Sequence, residues 1–154
     1  MSSYIACLYA FLACFAFSVV FEEKRFKIML TSALTGSAAW FVYLLLRFLG
    51  GGIKMQTVRY LLAAIAVALL SEIFARLLKT PTTVFLTIGI IPLVPGAGIY
   101  YTMKNLIAGD LHSFTLRGIE TIACAGAIAI GCSLVASVAR IIRENKKRKT
   151  AAKQ

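Results

Sequence analysis

Five apolar runs, Tyr4–Phe21, Ile28–Leu46, Val58–Leu78, Thr82–Met103 and Gly118–Ile142, take up most of the 154 residues. Each is near or above the roughly 20 residues that an α-helix needs to cross a bilayer. The fold class follows: all-α, a polytopic membrane protein with five transmembrane helices, the fourth broken at Pro92–Gly98. Residues 1–142 form a single transmembrane domain and residues 143–154 a basic tail, which leaves no room for a soluble domain. With 60% hydrophobic and only 15% charged residues, the composition also excludes an ordinary soluble protein of this size. The first run reads as a retained helix, since no basic segment precedes it and no small-residue cleavage site stands out.

The formal charge of +11 raises the question of nucleic acid, and position answers it. Counted connection by connection, five crossings put twelve of the 17 Lys and Arg on one side of the bilayer and five on the other. The basic-rich side is the cytoplasmic one. The C-terminus is therefore expected in the cytoplasm and the N-terminus outside. A re-entrant hairpin over Thr82–Met103 gives the less asymmetric split of ten against seven. The tail "RENKKRKTAAKQ" becomes a topology signal attracted to anionic headgroups, and nucleic-acid binding has no aromatic or fold context here.

The fourth run contains "GIIPLVPGAG", Gly89 to Gly98. Proline lacks the N–H that bonds four residues back, so Pro92 and Pro95 release the carbonyls of Ile88 and Ile91. Gly89, Gly96 and Gly98 give the backbone further freedom. An unpaired peptide group in hydrocarbon costs several kcal/mol, so such a break survives only against protein or a water-filled cavity. Ten residues from Thr82, roughly 15 Å of helix, bring it to about the midplane. Broken helices at that depth build transport sites, with freed carbonyls for a cation or proton donor and half-helix N–H groups for a carboxylate. Thr87, Gly89, Pro92, Pro95, Gly96, Gly98 and Tyr100 are the candidate substrate-binding residues. The competing reading is a simple kink whose carbonyls are capped by Thr83 and Thr87, with Gly96 and Gly98 permitting close helix packing. Tyr100 and Tyr101 either donate hydroxyls to a substrate or form an interfacial aromatic belt.

Four charged residues are candidates for proton coupling. Glu72 and Arg76 lie four apart on one helix face, and Glu72 is costly to leave unpaired in the membrane. It is either a proton carrier or half of a static pair that orients the third helix. Glu120 opens the fifth helix and Asp110 precedes it, positions that acids favour for dipole and capping reasons alone. His112 reads as an exposed loop residue. Cys7, Cys14, Cys124 and Cys132 lie in apolar runs without metal-ligand spacing and read as small packing residues. No cofactor motif and no metal site is present in the pattern. Ala123, Ala127 and Gly131 form a small-residue stripe suited to close packing, within the chain or in a homo-oligomer.

The order from Glu72 to Asp110 has "P-x-T-x-F" at Pro81–Phe85, "GIIPLVPG" at Gly89–Gly96, "YxxM" at Tyr100–Met103 and "GD" at Gly109–Asp110. In these motifs it resembles the small, C-terminal component of the threonine/serine exporter family, and the flanking helices match in spacing and character. The resemblance implies a secondary exporter of small amino acids, or in some members of dicarboxylates such as succinate, driven by the proton gradient. It also implies a larger partner subunit, because this chain corresponds to the second half of the single-chain members. At Thr87–Ile88 the sequence departs from the family, in which another proline is expected, so the first half-helix should unwind less. Two further readings stand beside transport of a small carboxylate-bearing metabolite across the lipid bilayer: a scaffold for a partner that holds the whole pathway, and, last, a membrane-embedded enzyme. Six acids and one histidine supply little catalytic chemistry.

Overall fold

The apolar runs become helices, the fourth of them two, in the computed structural model, which describes residues 3–21, 25–49 and 56–151. The helices are α1 (Ser3–Val20), α2 (Phe26–Leu49), α3 (Gln56–Leu78), α4 (Thr82–Ile90), α5 (Gly96–Ile107) and α6 (Leu111–Ala151), with a 3-10 turn at Ile91–Leu93 between α4 and α5. Lys24, Lys54 and Lys153, which entered the charge count, lie outside the described residues, as do the side chains of the tail from residue 146 onward.

Local chemistry sets the boundaries. α3 ends where Lys79 takes φ 51°, which turns the Thr80 N–H back onto the Ala75 carbonyl at 3.0 Å. α5 ends at Gly109, whose φ of 76° lets the Asp110 N–H reach Asn105 O at 3.0 Å. Asp110 then starts α6 by accepting the Ser113 N–H at 3.0 Å. Hydrogen bonds from the Ser113 side chain and amide hold its carboxyl below the usual range. This cap corrects two expectations: the last helix begins at Leu111 rather than Gly118, and His112 is an exposed residue of its first turn rather than of a loop. α6 also continues through Ala151 without a break at Ile142.

α4 is the centre of the bundle. It packs between α2 and α3 and touches α1, and its Phe85 and Ile88 are fully buried together with Leu93 of the turn. Gly89 sits where three elements converge: a Cβ there would stand 2.7 Å from Val67 Cγ2 of α3 and 3.1 Å from Thr35 Cγ2 of α2. α6 packs on α3 and α5, and no residue of α5 is buried. The small-residue stripe of α6 works within the chain, with Gly131 against Ala64 and the Leu61 carbonyl of α3. Ala123 is exposed, so the buried face runs instead through Cys124, Ala127, Gly131, Val135 and Ala139.

Pairings along the helices give the direction of each. Thr57 meets Cys124, Ala64 meets Gly131 and Glu72 meets Arg143, so α3 and α6 run parallel. Val67 opposite Gly89 and Glu72 opposite Thr82 make α4 antiparallel to α3. Gly98 opposite Thr121 and Gly118 opposite Thr102 make α5 antiparallel to α6. A hairpin that returned to its starting side would have left α6 antiparallel to α3. The α4–α5 pair, bent by 47°, is therefore one broken span rather than a re-entrant loop.

Three single helices have the length and composition of membrane spans, over Phe26–Phe48, Gln56–Leu78 and Leu111–Asn145 among the described residues, and the bent pair makes a fourth. The five expected crossings are matched only to that extent. The apolar part of α1, Ile5–Val20, is about 24 Å long, less than a roughly 30 Å hydrocarbon core.

Candidate functional site

The proline break exists, and protein groups satisfy the carbonyls it releases. Ile88 O accepts the Ile91 N–H and the Cys14 thiol of α1 at 3.4 Å. Ile91 O accepts the Val94 N–H at 3.3 Å. The competing reading, in which Thr83 and Thr87 cap these groups, is not met: both are exposed and line a separate groove with Phe21, Val84 and Ile88. Cys14, read from the sequence only as a packing residue, is what reaches the break. The break also lies past the expected midplane, toward the start of α3. Gly89 is opposite Val67, the middle of α3, whereas Pro95 shares a cavity with Tyr60 and Gln56 at the start of α3. The reason is that α4 starts level with Glu72, already more than a turn inside the end of α3.

That cavity is a polar concavity beside the break. It has a volume of about 180 Å³ and is lined by Gln56 and Tyr60 of α3, by Pro95, Ala97, Gly98 and Tyr101 around the start of α5, and by Arg117, Glu120, Thr121 and Cys124 of α6. The sequence explains why it opens there. Pro95 at the N-cap of α5 supplies no side-chain cap, and Gly98 lets the first turn lie against α6, where a Cβ would press on the Thr121 side chain. The 47° bend swings α5 off α3, and a gap remains between them. Arg117 and Glu120 project into it from one face of α6, 3.7 Å apart and about half exposed. Behind the cavity stands an aromatic ladder, with Tyr60 4.8 Å from Tyr43 and Tyr43 5.2 Å from Trp40 between ring centroids.

A second charged cluster occupies the opposite end of α3. Twelve residues from Tyr60, about 18 Å along the helix, Glu72 is largely buried, with 13% of its side chain exposed. Its two oxygens accept from Arg143 Nη2 of α6 at 3.0 and 2.7 Å and from Thr82 Oγ1 of α4 at 3.1 Å. Arg76 approaches to 3.5 Å. The i,i+4 pair foreseen from the sequence is thus the weaker part of a tie among α3, α4 and α6. An apolar groove of about 360 Å³ between α3 and α6 ends at this cluster, lined by Leu69, Ile73, Leu134, Val138 and Ile142 among others.

The candidate residues therefore separate. Pro95, Gly98 and Glu120 meet at the cavity. Pro92 is half-buried in the 3-10 turn, Gly89 is a packing contact in the core, Gly96 faces open space, and Thr87 lies on the α1 side of α4. Tyr100 is exposed and stacks edge-on with Tyr101 at 5.3 Å, and Tyr101 is the one that lines the cavity. Asp110 is a helix cap. Sequence reasoning missed Gln56, Tyr60, Arg117, Thr121 and Cys124 as cavity residues, and Thr82 and Arg143 as partners of Glu72, whereas Tyr101 was legible beside Tyr100 as a hydroxyl donor to a substrate. For Arg117 a signal existed: it stands three residues before Glu120, a spacing that puts both on one helix face.

Comparison with known proteins decides what kind of membrane protein carries this break. The family model described as "Threonine/Serine exporter, ThrE" matches residues 6–138, which is most of the chain. The chain belongs to the threonine/serine exporter family. No curated protein and no solved structure matches it. Membership makes it a transporter-family membrane protein and not an enzyme, and the matched region contains the whole break, the cavity and Glu72. Arg143 lies beyond the matched region.

Proposed function

We propose that this chain is the small subunit of a two-chain exporter that moves threonine or serine out across the cytoplasmic membrane together with a larger partner subunit. The carrying observation is the cavity at the broken span, which offers both charges, hydroxyls and half-helix amides to a small polar solute. Its volume of about 180 Å³ is below that of drug-sized pockets, about 300 Å³ and upward, and suits a small metabolite. One broken span and one cavity are half of what alternating access uses, since transporters rock two repeats or bundles about a shared site. That is the reason for a partner.

In this reading α1 completes a fifth crossing, the N-terminus is outside and the C-terminus cytoplasmic, in line with the charge asymmetry. The Glu72 cluster then lies at the cytoplasmic end and the cavity toward the outer end. Protons couple through Glu72: protonation withdraws the charge that holds Arg143, and the tie between α3, α4 and α6 loosens. Export of a dicarboxylate such as succinate is the second reading, and a scaffold without transport the third.

The test is counterflow of labelled threonine, serine and succinate into vesicles containing the chain, its larger partner, or both. Both chains together are expected to move threonine or serine, and Pro92→Ala with Pro95→Ala to abolish flux while membrane insertion stays intact. Unchanged flux in the proline variant removes the basis of the reading, and full flux with the partner alone establishes the scaffold instead.

A further inference from the structure

Among the described residues, Arg117 and Glu120 are the charged side chains on the wall of the outer cavity, and they use little of their capacity on each other. Their 3.7 Å approach is longer than a hydrogen bond. A guanidinium has five donors and a carboxylate about four acceptor sites, so both remain open to a ligand. Glu72 is the contrast. Its oxygens are already occupied by Arg143, Thr82 and Arg76, and the groove beside it is otherwise apolar.

We infer that Arg117 and Glu120 together form a zwitterion clamp, Arg117 taking the carboxylate of an α-amino acid and Glu120 its ammonium. The inference rests on the cavity being the solute site. An α-amino acid carries its two charges two bonds apart, which matches a cation and an anion one helical turn apart on the same face. Inserting it replaces one loose ion pair by two hydrogen-bonded ones, so no charge is left unpaired when water leaves. The same pair selects against other solutes. A dicarboxylate brings a second negative charge to Glu120, and an amine leaves Arg117 unmatched, each a repulsive or unpaired element of the kind that sets specificity. The Tyr101 hydroxyl on the cavity wall remains for a short polar side chain.

The test uses the full chain assembled with its larger partner in lipid nanodiscs and equilibrium binding of labelled threonine, competed by its hydroxy acid, which lacks the ammonium, and by its amino alcohol, which lacks the carboxylate. Wild type is expected to prefer threonine to either analogue by about tenfold or more. Arg117→Gln should erase the preference over the amino alcohol and keep that over the hydroxy acid, and Glu120→Gln should do the reverse. Both residues are half-exposed on a helix, so glutamine is compatible with folding. The exchanged double variant, Arg117→Glu with Glu120→Arg, retains both signs and should recover part of each preference. Threonine binding with unaltered analogue preferences in both single variants overturns the clamp and leaves the exporter reading standing. Wild type that prefers threonine to neither analogue overturns the clamp as well, and absence of counterflow by the assembled exporter overturns the reading beneath it.

Discussion

Gly89 and Gly96 stand seven residues apart in one motif, and nothing in the sequence separates their roles. The structure does. A Cβ on Gly89 would enter the space of Val67 and Thr35, while a Cβ on Gly96 meets nothing within 4 Å. Gly89→Ala is expected to destabilise by about 1–3 kcal/mol through overpacking. Gly96→Ala, at a residue without positive φ, should be neutral or stabilise by about 0.4–1 kcal/mol. Thermal unfolding in detergent checks both, and equal effects would contradict the packing assigned to Gly89. Residue identity carried the position of the break because the missing N–H of proline is local chemistry. It did not carry which glycine is crowded, because crowding comes from Val67 and Thr35 on other helices. Thr87 is the same lesson: its spacing from Thr83 was legible, its facing toward Phe21 was not.

At the scale of elements, the all-α class and the break were readable from hydrophobic run length and from proline, both properties of contiguous sequence, whereas the five expected crossings are matched by three single spans and the bent pair among the described residues. Helix starts were less so, since one hydrogen bond from Ser113 to Asp110 moved the start of α6 by two turns into a segment that looked like a loop. The tie at Glu72 shows where such reading ends. Arg76 was visible at i,i+4, whereas Arg143, 71 residues away, was counted as part of the tail and is the closest partner. Because Arg143 is about half exposed, Arg143→Gln should cost only about 1–2 kcal/mol. Glu72→Gln should leave threonine flux less responsive to an imposed pH gradient, as the proposed proton carrier requires. Counterflow with and without the gradient decides this, and a variant with undiminished pH-gradient dependence confines Glu72 to a structural tie.

For the whole molecule, the parallel course of α3 and α6 is what a full crossing of the broken span requires, and it makes α4 and α5 run on in one direction rather than return. Charge counting had favoured the same answer by twelve against five, a statistical argument that geometry replaces with pairings such as Ala64 with Gly131. The central claim is that the loosened turn borders an aqueous cavity open to solute. Accessibility of Ala97→Cys, with the four native cysteines replaced by alanine, tests it most directly. Ala97 lines the cavity, whereas Ile122, one residue from the Thr121 that faces Gly98, is 73% exposed and outside it. A membrane-impermeant maleimide applied from outside should label the cysteine at 97 and leave one at 122 unlabelled, with threonine slowing the first reaction. Equal silence at both positions, or labelling at 97 that threonine does not change, would contradict the account.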